Sequence, residues 1–194
     1  MSESNLRLFV ALELPAEVRA ALGAIAARLR ASGGHGVRWT DPNGIHLTLK
    51  FIGEIEAERL GAIRGALAGV HAAHAMEATF RGTGWFPNAR HPRVLWAGVE
   101  AGPELAALAA EVERVLEPAG IAREGREFRP HLTLARIKPE AKVEGLRHEA
   151  ERLGVPEFGR SSYTEFDLMQ STLRPQGAVY TRVERFAFAT AEVH

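Results

Sequence analysis

The tetrapeptide His-Leu-Thr-Leu occurs twice in this chain, beginning at His46 and again at His131. If each copy lies in a β-strand, its His and Thr share one face while its two Leu share the other, because strand side chains alternate. The threonines, Thr48 and Thr133, would then stand beside the histidines on two polar faces. Two imidazoles and two hydroxyls that meet in one cleft suit acid–base chemistry on a phosphate, since one histidine can accept a proton while the other donates one.

Composition leaves few other sources of chemistry. The chain has 194 residues and no cysteine, which excludes a disulfide framework, a thiol nucleophile and a thiolate metal site. Its 24 basic and 24 acidic residues balance, which argues against a long electrostatic contact with duplex nucleic acid. This length fits one domain or two closely packed half-domains.

The start of the chain does not resemble a targeting segment. The apolar stretch from Leu6 to Leu14 contains Arg7 and Glu13 and leads directly into a helical pattern, unlike the uninterrupted apolar region of a signal peptide. No stretch approaches the length of a membrane span. We therefore expect a soluble, cytoplasmic monomer without membrane contact.

The first part of the chain predicts a strand, a helix and then the first motif strand. Residues 6–14 read as the strand, Pro15 suits the first turn of a helix, and 32–34 contain the glycines that end it. The turn residues 41–44 precede the first motif. A second helical pattern, weakened by three glycines, runs from 56 to 74.

The second part repeats this order. The predicted elements are strands near 75–82 and 93–100, a helix from Pro103 to about 118, the second motif strand, a polar helix at 143–153, and alternating stretches at 163–169 and 178–189. The repetition indicates an internal duplication of one bilobal domain, 1–194. Its halves, 1–90 and 91–194, would be related by a pseudo-two-fold axis with the two motif strands facing each other.

The motifs and their surroundings resemble the two-histidine phosphoesterase superfamily, which is defined by paired His-x-Thr-x motifs in a two-lobed fold. Residues 8–12, 85–87, 92–96 and 128–136 are similar to the bacterial and archaeal RNA 2′,3′-cyclic phosphodiesterases, formerly described as 2′-5′ RNA ligases. The resemblance covers nearly the whole chain. It implies an α+β fold in which each half is a mainly antiparallel sheet with helices on its outer face, and a catalytic cleft between the sheets.

The resemblance also implies an activity and roles for the motif residues. Terminal RNA 2′,3′-cyclic phosphate, on RNA ends or short oligonucleotides, would be opened to a 2′-phosphomonoester without metal or cofactor. His46 would protonate the 3′ oxygen and His131 would activate water, although the residues alone do not decide which histidine is the acid. Thr48 and Thr133 would donate hydrogen bonds to the non-bridging phosphate oxygens.

Two further residues follow from the family pattern, Phe51 for base stacking and Arg136 for phosphate contact. Each lies five residues after its histidine. Strict alternation along a strand places both on the face opposite the histidines. A β-bulge or a strand end would be needed to return them to the motif face.

Other functions remain open on the sequence alone. The same four motif residues could act on small cyclic nucleotides, ADP-ribose cyclic phosphate or 2′-5′ linked oligonucleotides. A non-catalytic module that binds an RNA end would use them for affinity only. A metal hydrolase is a third class, for which His71 and His74 have a helical spacing that could ligate zinc, although a solvated helix face explains them more simply.

Overall fold

The computed structural model of this protein describes residues 5–71, 75–175 and 177–188, which contain nine strands and four α-helices. The strands are β1 (Leu6–Leu12), β2 (His35–Trp39), β3 (Leu47–Ile55), β4 (Met76–Phe86), β5 (Val94–Ala101), β6 (His131–Lys142), β7 (Glu157–Tyr163), β8 (Glu165–Arg174) and β9 (Gly177–Ala187). The helices are α1 (Ala16–Ala31), α2 (Leu60–Leu67), α3 (Pro103–Leu116) and α4 (Glu144–Leu153). None of the helices in these residues is long and apolar enough to cross a membrane.

The strands form two antiparallel sheets. The first sheet has the order β3-β1-β8-β9 and the second has the order β2-β6-β5-β4-β7. The two sheets correspond when each is read from its motif strand. The order β3-β1-β8-β9 then matches β6-β5-β4-β7, and the second sheet has one more strand, β2, on the other side of β6. The predicted α+β, bilobal architecture is confirmed.

Each sheet takes strands from both parts of the chain. β8 and β9 join β1 and β3, while β2 and β4 join β5, β6 and β7. The predicted division at 90/91 lies in the connection between β4 and β5, which pair with each other. The internal duplication into halves 1–90 and 91–194 stays a prediction.

Two helices connect the sheets, because each packs against the sheet opposite to that of the strand before it. Helix α1 follows β1 of the first sheet but contacts β7 of the second, whereas α3 follows β5 of the second sheet and contacts β3 of the first. In α1 the buried side chains recur at helical spacing, at Val18, Leu22, Ala26 and Leu29. The chain therefore crosses between the lobes before each motif strand, and both lobes share one apolar core.

The leucines of both motifs belong to that core. Leu47, Leu132 and Leu134 are completely buried, and Leu49 is nearly so. Burial of a leucine side chain stabilises a fold by about 1.5–3 kcal/mol. The apolar face of each motif thus anchors its strand and holds the polar residues between them in a fixed position.

Several predicted boundaries are wrong. Strand β1 ends at Leu12 rather than at residue 14, and Pro15 precedes helix α1 instead of lying in its first turn. The helix expected over 56–74 consists of a 3-10 turn, Ala57–Arg59, followed by the eight residues of α2. Gly69, which has a low helix propensity, lies just beyond the end of α2, whereas Gly61 and Gly65 are tolerated inside it. His71 lies beyond α2, and His74 lies outside the described residues.

The sequence also missed one strand. β7 (Glu157–Tyr163) has the polar run Gly-Arg-Ser-Ser at its centre and forms the outer edge of the second sheet. An edge strand needs only one apolar side, so its composition gave little signal. The alternating stretch predicted at 163–169 therefore divides between β7 and β8, which continues to Arg174.

An ion pair between a buried lysine and a partly exposed glutamate fixes the segment that leads to the second motif. Lys50 of β3 is buried, and its Nζ donates to Oε2 of Glu113 on α3 at 2.8 Å and to the carbonyl of Ala122 at 2.7 Å. The same Glu113 carboxylate accepts the backbone N–H of Glu124. The first motif strand is thereby tied to the chain a few residues before His131.

Removal of the lysine should destabilise the protein strongly. Lys50→Ala leaves the Glu113 carboxylate and the Ala122 carbonyl without their charged donor, and this loss should cost about 2 kcal/mol because the carboxylate remains partly exposed. Urea unfolding at neutral pH measures this loss. Lys138→Ala, at an exposed position of β6, is the matched control and should change stability by less than about 0.5 kcal/mol. Equal effects for the two variants would contradict the structural role of Lys50.

Candidate active site

Both motif strands contain a β-bulge at the same position. In the pairing of β1 with β3, Ala11 lies opposite Thr48 and Val10 opposite Lys50, so Leu49 is the extra residue. In the pairing of β5 with β6, Trp96 lies opposite Thr133 and Leu95 opposite Ala135. The threonine of each motif is consequently followed by two consecutive buried residues instead of an alternating pair.

The bulges turn Phe51 and Arg136 toward the motif face, so the face given by strict alternation is wrong for both. Phe51 packs against Phe9, with ring centroids 6.2 Å apart, and the same Phe9 ring stacks on His46. Arg136 lies opposite Val94, whose partner on β4 is Phe86, and the Phe86 ring contacts His131. A bulge shifts the side-chain alternation by one residue.

A short turn and two aromatic rings position His46. The Asp41 side chain accepts the backbone N–H of Asn43 at 2.9 Å, which caps a 3-10 turn that ends just before the motif. The His46 ring, one residue before β3, stacks on Phe9 at 4.5 Å between centroids and meets the edge of Tyr180 at 4.9 Å. These contacts fix the plane of the imidazole.

The same burial changes the protonation of His46. Desolvation lowers its pKa from 6.5 to about 4, and a hydrogen bond to the backbone of Gly44 opposes this shift only partly. The His46 imidazole is therefore neutral in the ligand-free protein at neutral pH. A bound anion would favour the imidazolium form and raise this pKa.

This shift predicts that acid destabilises the fold through His46. The unfolded chain takes up a proton near pH 6.5, whereas the folded chain does so only near pH 4. Stability is therefore complete above about pH 6.5 and is lost as the pH falls toward 4, by roughly 2–3 kcal/mol at pH 4.5. His46→Gln, which cannot titrate, should lose that much less between pH 7 and pH 4.5 in urea unfolding. His91→Gln, at an exposed loop position, should retain the wild-type loss, and an unchanged His46→Gln difference would contradict the burial effect.

His131 is held in one tautomer by the backbone. Its Nδ1 lies 2.7 Å from the carbonyl oxygen of Arg129, and a carbonyl can only accept a hydrogen bond, so Nδ1 carries the hydrogen. In the neutral ring Nε2 then has a free lone pair. The edge of the ring contacts Phe86 at 5.0 Å between centroids, and Phe86 packs on Trp96 at 5.3 Å. A neutral ring held in this way can accept a proton at Nε2.

His46 also borders a polar cavity. The cavity measures about 180 Å³ and is lined by His46, Tyr180, Met169, Ala11, Gly44, Ile45, Asn43 and the charged residues Glu13, Arg19, Asp167 and Arg182. One wall is rigid because the buried Asp167 accepts two hydrogen bonds from Arg185, at 2.8 and 3.1 Å. A cavity with charged residues in its lining therefore lies beside the half-buried His46 of the first motif.

The two motif strands lie next to each other across the sheets. Cα atoms of β3 and β6 approach within 8 Å, although the strands belong to different sheets. His46 and Thr48 thus come from the chain of the first sheet, and His131 and Thr133 come from the second. Direct opposition of the two imidazoles stays a prediction.

A comparison with known families decides the classification. The family model described as LigT-like phosphoesterase matches residues 12–96 and 98–180, which include both motifs. The chain belongs to the LigT-like phosphoesterase family. The predicted membership in the two-histidine phosphoesterase superfamily is confirmed.

Individual relatives of this LigT-like phosphoesterase match over almost their whole length. The RNA 2′,3′-cyclic phosphodiesterase of Thermus thermophilus is 38% identical over 192 residues, which cover 94% of this chain and 90% of that protein. The protein of the same name from Archaeoglobus fulgidus is 35% identical and covers 93% and 99%. The crystal structure of E. coli LigT complexed with 3′-AMP has a TM-score of 0.78 at 27% identity, over 96% of this chain and all of that one.

Sequence reasoning missed the aromatic supports of this LigT-like phosphoesterase. Phe9, Phe86 and Trp96 lie in runs that carry the family resemblance, yet nothing in those runs shows which histidine each would contact. Tyr180 lies in a strand near the end of the chain and reaches His46 only through the pairing of β8 with β9. The one available signal was an aromatic residue at an alternating position of a long strand, which is typical of many strands without a site.

Proposed function

We propose that this LigT-like phosphoesterase hydrolyses the terminal 2′,3′-cyclic phosphate of RNA to a 2′-phosphomonoester. One observation carries the proposal: two copies of the motif lie on adjacent strands of different sheets, and each copy has the same bulge after its threonine. Relatives named RNA 2′,3′-cyclic phosphodiesterase, at 35–38% identity over most of the chain, support the substrate.

His131 acts as the base in this mechanism. Its Nδ1 hydrogen is engaged by the Arg129 carbonyl, so Nε2 is the nitrogen that takes a proton from water as the water oxygen bonds to phosphorus. The hydrogen bond at Nδ1 also stabilises the imidazolium that forms, as an acceptor behind a catalytic histidine generally does. The assignment of base and acid is the one that the family resemblance implies, because both histidines have a backbone hydrogen bond two residues back, His131 to Arg129 and His46 to Gly44.

His46 acts as the acid. As the bond from phosphorus to the 3′ oxygen breaks, His46 gives its proton to that oxygen, and the phosphate stays on the 2′ oxygen. The free protein holds His46 neutral because burial lowers its pKa to about 4. The negative charge of the bound phosphodiester must therefore raise that pKa, so that His46 is protonated in the complex. After turnover His46 is neutral and His131 protonated, and exchange with solvent restores the starting state.

The neighbouring residues bind the substrate in this proposal. Thr48 and Thr133 donate their hydroxyl hydrogens to the non-bridging oxygens. Phe51, 64% exposed beside Phe9, offers an open ring face on which a terminal base stacks. Arg136 supplies a guanidinium to the phosphate. Both motifs come from one chain, so a monomer is sufficient. In this proposal it acts in the cytoplasm, and its partners are RNA ends or short oligonucleotides.

A hydrolysis assay tests the proposal directly. The protein is incubated with an oligoribonucleotide that ends in a 2′,3′-cyclic phosphate, in excess chelator, and the product ends are distinguished as 2′- or 3′-phosphate. Conversion to the 2′-phosphate is expected. Tight binding of the cyclic end without turnover would instead indicate an RNA-end binding module. A 3′-phosphate product would mean that the acid protonates the 2′ oxygen and not the 3′ oxygen.

A further inference from the structure

Two arginines lie directly opposite each other beside the second motif. The pairing of β2 with β6 places Arg38 against Arg136. Residues directly opposite in a sheet share a face, so Arg38 lies on the same face as Arg136, Thr133 and His131. The apolar neighbours Val37 and Ile137, which are also paired, occupy the opposite face and pack into the core.

These two guanidiniums are not neutralised. Among the described residues neither has a carboxylate or another side chain as an ion-pair or hydrogen-bond partner, whereas nearby Arg81 pairs with Glu100 and Arg129 with Glu127. Like charges directly opposite each other destabilise a sheet. An arrangement that is unfavourable for the ligand-free protein becomes favourable when an anion lies between the two groups.

Arg38 also spans the two sheets. A side chain at Gly177, the first residue of β9, would begin 3.9 Å from Nη2 of Arg38. Strand β9 belongs to the first sheet and carries Tyr180, which contacts His46. The Arg38 guanidinium therefore extends from the edge strand of the second sheet to the strand that supports the histidine of the first motif.

We infer that Arg38 binds the phosphodiester that precedes the terminal nucleotide of the RNA. Arg38 lies one strand beyond Arg136, about 4.8 Å further from the motif, so a cyclic phosphate held by the histidines and threonines leaves it free for the next phosphate of the strand. The residue would make the enzyme prefer oligonucleotide ends over cyclic mononucleotides. This inference rests on the proposed hydrolysis.

Two substrates that differ in their number of phosphates separate this role from others. One is adenosine 2′,3′-cyclic monophosphate, and the other is an adenine trinucleotide that ends in a 2′,3′-cyclic phosphate. Arg38→Gln should raise KM for the trinucleotide about tenfold and leave kcat within about twofold. Both constants for the mononucleotide should stay within about twofold of wild type. The fall of log kcat/KM with log salt on the trinucleotide should become shallower by about 0.7, as expected for one lost phosphate contact.

Two further variants complete the test. Arg38→Lys keeps the charge and should recover part of the trinucleotide KM, since only the bidentate geometry is lost. Arg30→Gln removes an equal charge from the exposed end of α1 and should leave both substrates unaffected. Equal losses on both substrates for Arg38→Gln, or no loss on either, would overturn the inference while the proposed hydrolysis stands. Failure of the wild-type protein to turn over either substrate would overturn both.

Discussion

Replacement of either His46 or His131 by alanine should lower kcat on cyclic-ended RNA at least about a hundredfold, because each removes one positioned proton transfer. The losses have different origins. Without His131 no group accepts the proton of the attacking water, and without His46 the 3′ oxygen leaves as an unprotonated alkoxide. Single-turnover measurement with saturating substrate isolates this chemical step from binding and product release.

The double variant should lose less than the product of the two single losses, since residues that act as one unit are not additive. His91→Ala, at an exposed loop position, is the matched control and should retain wild-type kcat. Circular dichroism of each variant verifies that the fold is intact. A near-normal rate in either single variant would remove the two-histidine mechanism, whereas full retention of RNA binding would agree with it.

The sequence could predict the face of each motif residue because this depends on short-range alternation, whereas the two-sheet class came from the family resemblance. His and Thr are separated by one residue, and no irregularity lies between them. Phe51 and Arg136 are separated from their threonines by a bulge, and one inserted residue reverses every later assignment along the strand. The bulges lie at Leu49-Lys50 and at Leu134-Ala135. Nothing in these residue types indicates a bulge, since the residues are buried for reasons of tertiary packing.

The protonation of the two histidines could not be predicted either. His46 is desolvated by Phe9 from β1 and Tyr180 from β9, and these strands are brought together only by the sheet order. His131 is oriented by the Arg129 carbonyl, two residues before it, but the contact depends on the local backbone direction. The motif supplies the reactive groups, and the long-range pairing determines how strongly one of them, His46, is desolvated.

The pH dependence of turnover follows from that difference. We expect kcat to show a bell-shaped profile near neutrality, because one histidine must be neutral and the other protonated in the working complex. The rate should fall about tenfold per pH unit beyond each limb, and excess chelator should change neither limb. The two apparent pKa values belong to the coupled pair rather than to single residues.

The same reasoning predicts different pH profiles for kcat and for kcat/KM. The second quantity reports the free protein, in which burial lowers the pKa of His46 to about 4. In the complex the phosphodiester charge raises that pKa, so the limb to which His46 contributes most should lie at higher pH for kcat than for kcat/KM. The residual activity of His131→Ala should retain only one limb. A rate that instead rises steadily with pH and disappears with chelator would indicate a metal-bound hydroxide, and the proton transfers would then not belong to the paired His-Leu-Thr-Leu strands.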